Sequence, residues 1–280
     1  MFLAGPASPL HSPTMIRAAS LPLALLMMAP QAHGASSQWQ ETEGGSVRLV
    51  TVGLPDEDGR LRGALEISLK PGWKTYWRNP GAAGIPPQID VSRSSHIRAV
   101  EVQYPAPERI HDGGTQWAGY RQSVSLPITF TLDQANAATL IDADVFLGIC
   151  ETICIPFQAS FIFDPGADAD NVSDALAVRR AFASLPALAD ATFGIASVEK
   201  TGGALVLEGR LPASALEPAL FLDHAHAHLL GTPRLEALKE GAARFVVEIL
   251  DGDVGKLENS DLIYTLTADG EAVSGDIEIP

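Results

Sequence analysis

Residues 141–163 read IDADVFLGICETICIPFQASFIF, and the parity of this stretch decides the fold. Ile141, Ala143, Val145, Leu147 and Ile149 fall on one parity, with Asp142, Asp144 and Cys150 on the other. Past the second cysteine, Ile155, Phe157, Ala159, Phe161 and Phe163 are apolar, while Cys154, Pro156, Gln158 and Ser160 alternate with them. A period of two places each set on one face of a strand. The two runs predict an antiparallel hairpin turning at Glu151-Thr152-Ile153, with both cysteines flanking the turn and pointing away from the core. Directly opposed residues of such a pair have Cα atoms about 4.5–5.5 Å apart, and a disulfide tolerates about 4.4–6.8 Å, so a bridge is geometrically reasonable. Pro156 lacks a ladder donor, which places its strand near a sheet edge, where an extended partner can add a strand.

The same alternation continues upstream. Leu65, Ile67 and Leu69, then Val100, Val102 and Tyr104, then Val124, Leu126, Ile128, Phe130 and Leu132 alternate with polar residues or proline. Breakers separate them at Asp56-Glu57-Asp58-Gly59, Asn79-Pro80-Gly81, Pro86-Pro87 and Asp112-Gly113-Gly114. Many short strands at this spacing predict an all-β chain with a β-sandwich over residues 45–163. Residues 164–192 read as a linker and one connecting helix, over 174–185 with Ser173 as its cap, and stopped near Pro186. Residues 193–280 read as a second, smaller β domain with strands at 195–199, 204–210, 219–222, 244–250 and 262–267.

Residues 1–34 read as an export signal whose start is Met15. Arg17 gives a positive beginning, residues 18–29 an apolar run, and Ala32-His33-Gly34 the small residues for cleavage before Ala35. That run is too short to span a bilayer, which needs about 20 residues, so no membrane insertion is expected. The mature chain is expected in the periplasm, an oxidising compartment in which disulfides persist. With 34 acidic against 19 basic residues in 280, and a net charge of −15, the chain lacks the basic surface that a nucleic-acid partner requires. The 46% hydrophobic content supports real cores, and 20 prolines with 25 glycines suit turn-rich β structure.

Two readings of the cysteine pair stand side by side. A lone disulfide in an exported β domain is commonly structural, and the chain is then a non-enzymatic binding module. Yet the loop it closes is tiny, and the chain-entropy model gives about 2 kcal/mol for roughly five residues, on a hairpin already held by its ladder. At a water-facing tip the bridge is open to an attacking thiolate. Two sulfurs alone do not make a zinc site.

Residues beyond the pair favour the redox reading. Trp73-x-x-Tyr76-Trp77-Arg78-Asn79-Pro80-Gly81, then Tyr104-Pro105-Ala106-Pro107, then Tyr120-Arg121 with Leu126-Pro127, and finally Cys150-x-x-x-Cys154-x-Pro156 occur in this order. Together they resemble the N-terminal periplasmic domain of the DsbD thiol:disulfide interchange proteins, in the copper-tolerance (ScsB-like) branch. The resemblance covers about residues 45–163, and residues 170–280 resemble the extra β domain of the longer N-terminal regions.

It implies an immunoglobulin-like fold and a protein-disulfide reductase component that needs no cofactor. Cys154 would form the mixed disulfides and Cys150 would resolve them. Partners would be thioredoxin-like periplasmic proteins and a separate membrane electron conductor, in cytochrome c maturation or copper tolerance. The spacing between the cysteines is shorter than in the best-known members. Those members also shield the pair with an aromatic cap loop. The corresponding stretch here, residues 111–117, has glycines at the aromatic position, with Trp117 as the substitute. Trp117, Asp112, Tyr120 and Pro156 are therefore the candidates for cap and partner docking. Asp142 and Asp144, on the cysteine face, are expected to raise the thiol pKa values if close.

His224, His226 and His228 alternate in DHAHAH and, if extended, share one face as a candidate copper or zinc platform, although a solvated polar strand or loop is the better reading of them. Trp73, Tyr76 and Trp77 are a candidate carbohydrate or partner platform, but core packing and loop bracing is the better reading. Asp56-Glu57-Asp58-Gly59 reads as a solvated turn, since it lacks the remaining ligands of a calcium loop.

Overall fold

The computed structural model describes residues 1–2, 5, 36–81, 84–112, 114–134, 138–224, 226–250 and 254–280. The export signal expected at 1–34 lies almost wholly outside them, as does Gly113. Strands β1 (Gln40–Thr42), β2 (Gly45–Thr51), β3 (Arg60–Leu69), β4 (Lys74–Tyr76), β5 (Gln88–Asp90), β6 (Ile97–Val102), β7 (Glu108–Asp112), β8 (Thr115–Tyr120), β9 (Val124–Leu132), β10 (Ile141–Cys150) and β11 (Cys154–Phe163) build the first half. They form two sheets, ordered β1-β2-β3-β9-β6 and β11-β10-β4-β8-β7, with β5 pairing on β10.

The alternating residues explain why the sheets stack. Val47, Leu49, Leu61, Leu65, Ile67, Leu126, Ile128 and Phe130 from the first sheet meet Ile141, Ala143, Val145, Leu147, Ile149, Phe157, Phe161 and Phe163 from the second in one core. This is the all-β sandwich the alternation predicts. The hairpin register is unbroken, from Ile141 opposite Phe163 to Cys150 opposite Cys154, and β11 is an edge strand carrying Pro156.

After a 3-10 turn at Pro165–Asp168 comes α1 (Val172–Ala183). It starts two residues earlier than expected, because Asn171 and not Ser173 takes the cap. Asn171 is extended, its side chain accepts from the Asp174 N–H, and the Ser173 hydroxyl donates to that same Asn171 oxygen. Val178 and Ala181 pack on Val50 and Ala64, which face away from the sandwich core. The helix thus covers the outer face of the first sheet.

The second half contains β12 (Ala187–Leu188), β13 (Gly194–Thr201), β14 (Ala204–Arg210), β15 (Ala219–Asp223), β16 (Arg234–Lys239), β17 (Ala242–Glu248), β18 (Ser260–Ala268) and β19 (Glu271–Ile279). Their sheets run β12-β19-β18-β15 and β13-β14-β17-β16. Leu205, Leu207, Phe245, Val247, Leu262, Leu266, Val273 and Ile279 fill a separate core. Three of these strands escape the pattern reading for definite reasons. β12 has only two residues, and every position of β16 is exposed, so neither shows a buried face. β19 is interrupted by Gly275, where a Cβ would come 2.7 Å from the Tyr264 hydroxyl.

Removing the cap tests the helix boundary. Asn171→Ala should lower unfolding free energy by about 1 kcal/mol in chemical denaturation, with Ser173→Ala costing clearly less.

Candidate functional site

The β10–β11 hairpin turns through Glu151, Thr152 and Ile153, with the Glu151 N–H donating to the Ile153 carbonyl (3.2 Å). Cys150 and Cys154 face each other across it and are joined in a disulfide with Cα atoms 4.0 Å apart. The parity reading holds in that neither sulfur enters the sandwich core. The expectation that both face water is corrected. Cys154 is exposed and Ile153 beside it is 72% exposed, whereas Cys150 is only 3% exposed.

A roof of side chains on the outer face of the sheet covers Cys150. β4 pairs with the end of β10, Lys74 opposite Cys150, and β8 pairs with β4, Tyr76 opposite Gly119. Gly148, Cys150, Tyr76, Gly119 and Trp117 therefore share one parity and one face. Both glycines are required by close approach. A Cβ on Gly148 would lie 2.8 Å from the Tyr76 ring, and one on Gly119 would lie 2.4 Å from the Trp117 ring. The Tyr76 and Trp117 rings meet with centroids 4.6 Å apart, and Ile110, opposite Trp117 on β7, completes the wall around Cys150. The Thr75 hydroxyl, donating to the Gly148 carbonyl (2.8 Å), fixes the β4–β10 junction from below.

Tyr76 joins roof to chemistry. Disulfide sulfurs carry no hydrogen, so the Tyr76 hydroxyl donates to Cys154 Sγ (2.8 Å), and its oxygen lies 3.3 Å from Cys150 Sγ. The sequence reading placed Tyr76 with Trp73 and Trp77 as packing residues. Those two are core residues, but Tyr76 has the opposite parity in Trp73-Lys74-Thr75-Tyr76-Trp77, and that is the signal that marks it as outward-facing.

The remaining sequence candidates divide. Trp117 lies at the pair, as part of the wall. Asp112 closes the β7–β8 hairpin opposite Thr115. Pro156 is exposed two residues beyond Cys154. Tyr120 is buried, with its hydroxyl donating to the Pro105 carbonyl (2.8 Å), and burial pushes its pKa well above the ordinary value. It braces the sandwich and offers no docking surface. Asp142 and Asp144 do not act on the thiols. They sit eight and six residues, respectively, along β10 from Cys150, about 20 Å or more away at strand rise. Both bond the Arg93 guanidinium.

The histidines do not lie along one extended strand. β15 ends at Asp223 and the chain turns into a 3-10 helix at Ala227–Leu229. His224 Nδ1 accepts from the His226 N–H (2.9 Å), which leaves Nε2 to donate to the Ser260 hydroxyl (2.9 Å). Burial, with the neighbouring His226, lowers its pKa below the ordinary imidazole value. Among the described residues no group of three His, Cys, Asp or Glu side chains is arranged to hold a metal ion.

Hydrogen bonds from Arg93 and then Ser160 hold the Asp144 carboxyl down to about 2, against an ordinary 3.8. A lowered folded-state value stabilises the fold above the ordinary range and loses that contribution as pH falls toward 2. Arg93→Ala should thus lower the melting temperature at neutral pH, and the difference from the parent should close on acidification toward that value. Because the pair is exposed, high salt should also shrink the difference.

Residues 48–165 match the family model described as thiol:disulfide interchange protein DsbD, N-terminal. No curated protein matches the chain. Among solved structures, the N-terminal periplasmic domain of ScsB from Proteus mirabilis superposes with a TM-score of 0.72 at 23% identity, covering 88% of this chain and 98% of that one. The immunoglobulin-like sandwich and the second β domain are thus a shared fold. With a cysteine pair at its hairpin tip, the first domain matches the DsbD N-terminal domain family over residues 48–165, and the two-domain fold is shared with the ScsB domain.

Proposed function

We propose that the chain is a thiol:disulfide interchange protein, a protein-disulfide reductase component that passes electrons through Cys150 and Cys154. The observation that carries this reading is the asymmetry of the pair: one cysteine is exposed with its sulfur hydrogen-bonded by Tyr76, the other roofed. A bridge serving only as a staple gains nothing from this arrangement, since ten paired positions already hold the hairpin.

Starting from the dithiol, the Cys154 thiolate attacks one sulfur of a partner disulfide. That S–S bond breaks, one partner thiolate leaves, and a mixed disulfide forms at Cys154. The Cys150 thiolate then attacks Cys154 Sγ and expels the second partner sulfur. Two electrons and two protons have moved to the partner, and the Cys150–Cys154 bond is restored. A thioredoxin-like dithiol reverses the sequence to recharge the pair. Tyr76 donates a hydrogen bond to the sulfur that carries negative charge as attacking and leaving group, and the roof keeps external thiols off Cys150.

The family supports partners of thioredoxin type. Among the described residues no helix is long and apolar enough to cross a membrane. We place the protein in the periplasm, with a separate membrane conductor as the source of electrons. Oxidised partners in cytochrome c maturation or copper stress are the substrates to test first. Trp117, Asp112 and Pro156 remain the candidates for cap and partner docking, with Trp117 beside Cys150 and Pro156 exposed two residues beyond Cys154.

Cys150→Ala should accumulate mixed disulfides between Cys154 and thioredoxin-like proteins on non-reducing gels, and Cys154→Ala should accumulate far fewer. A parent pair that stays inert to such proteins, with a potential below about −300 mV, would mark a structural disulfide instead. A hydrogen bond to a charged group contributes about 1.5–3 kcal/mol, so Tyr76→Phe should slow exchange at Cys154 by on the order of tenfold or more.

A further inference from the structure

The second domain meets the first along β15, and β15 grips both elements that roof the cysteines. Strand alternation sends Leu220 and Leu222 into the second domain's own core and Phe221 the opposite way, into the core of the first, where it is 2% exposed. The Phe221 ring stands edge-on to Trp77, with centroids 5.9 Å apart, and lies 4.4 Å beneath the Arg109 guanidinium. The two flanking carbonyls are both used. Asn79 Nδ2 donates to Leu222 O (2.7 Å) and Arg109 Nη2 donates to Leu220 O (2.6 Å). Arg78 adds an ion pair with Asp223 at 3.4 Å.

These residues adjoin the roof in the chain. Trp77, Arg78 and Asn79 directly follow Tyr76, and Arg109 directly precedes Ile110. The grip is local and not a continuous seal, for a cavity of about 470 Å³ lined by Trp77, Asn79, Arg109, Phe221 and Leu222 lies beside it. Arg109 is withdrawn from water, and desolvation lowers its pKa to about 10, so its bond to Leu220 O is made where water competes poorly.

We propose that the second domain is a buttress for the redox pair. β15 sets the positions of Tyr76 and of the Ile110–Trp117 wall, and Phe221, Asn79 and Arg109 are positioning residues for exchange at Cys154. The inference builds on the thiol:disulfide reading but concerns how the pair is covered, so it is tested without a protein partner. Releasing Trp77 frees the residue next to Tyr76. The Tyr76 hydroxyl then loses its 2.8 Å approach to Cys154, and Cys150 is uncovered.

The experiment uses the full reduced protein, with iodoacetamide as probe and mass spectrometry to score each cysteine. Phe221→Ala and Asn79→Ala should each speed alkylation of Cys150 by about tenfold, the signature of a local opening. They should also move the rise of Cys154 alkylation to higher pH. Phe221→Leu should restore most of the protection. Arg244→Ala, which breaks an ion pair with Glu208 away from β15, should react as the parent does. Should Phe221→Ala fail to fold, Asn79→Ala decides by the same criteria. Parent-like Cys150 protection and an unshifted Cys154 profile in the folded variants would overturn the proposal, and so would an Arg244→Ala protein as reactive as the β15 variants. Failure of the interchange reading shows up separately, as a parent pair inert to thioredoxin-like proteins.

Discussion

The contact between the Tyr76 hydroxyl and Cys154 Sγ exists because two glycines leave the outer face of a sheet flat enough for an aromatic ring to lie across it. Gly148 on β10 and Gly119 on β8 flank Tyr76 on β4, and any side chain at either would lift a ring. Three strands far apart in sequence must meet in one register for this to occur. The buried Thr75, bonded to the Gly148 carbonyl, fixes that register from the core side. The sandwich core and the cysteine cover are thus two faces of the same few residues.

From this seat follows the difference between the two sulfurs. The same ring that reaches Cys154 helps bury Cys150, with Trp117 and Ile110 completing the wall. In the interchange proposed above, burial of one thiol and exposure of the other would order the chemistry, because an approaching disulfide would meet one nucleophile only and the second would act from within. The carboxylates on the cysteine face have another task. Arg93 binds Asp142 and Asp144 at the far end of β10, where they belong to surface electrostatics and not to the thiols.

β15 shows how one strand serves two cores. Its alternation commits Leu220 and Leu222 to one domain and Phe221 to the other, while its carbonyls receive side chains from the first domain. An edge strand with open carbonyls is a liability when exposed. Here Asn79 and Arg109 occupy it. A purely apolar junction would lack this directionality, since hydrogen bonds fix an angle and apolar burial does not.

The sequence by itself determined the strands with one buried face, the hairpin, its turn and the opposition of Cys150 to Cys154, because period-two patterning is a local property that survives without knowledge of neighbours. It also marked the helix to within two residues. It could not show which outward-facing residues stay wet. Tyr76, Cys150 and Trp117 point away from the core as their parity demands, and only the packing of β4 between β10 and β8 turns that outer face into a second buried cluster. The all-exposed β16, the Gly275-interrupted β19 and the turn that breaks the histidine row were likewise settled by tertiary context. Burial is a property of what lies opposite, and what lies opposite here comes from residues tens of positions away in the chain.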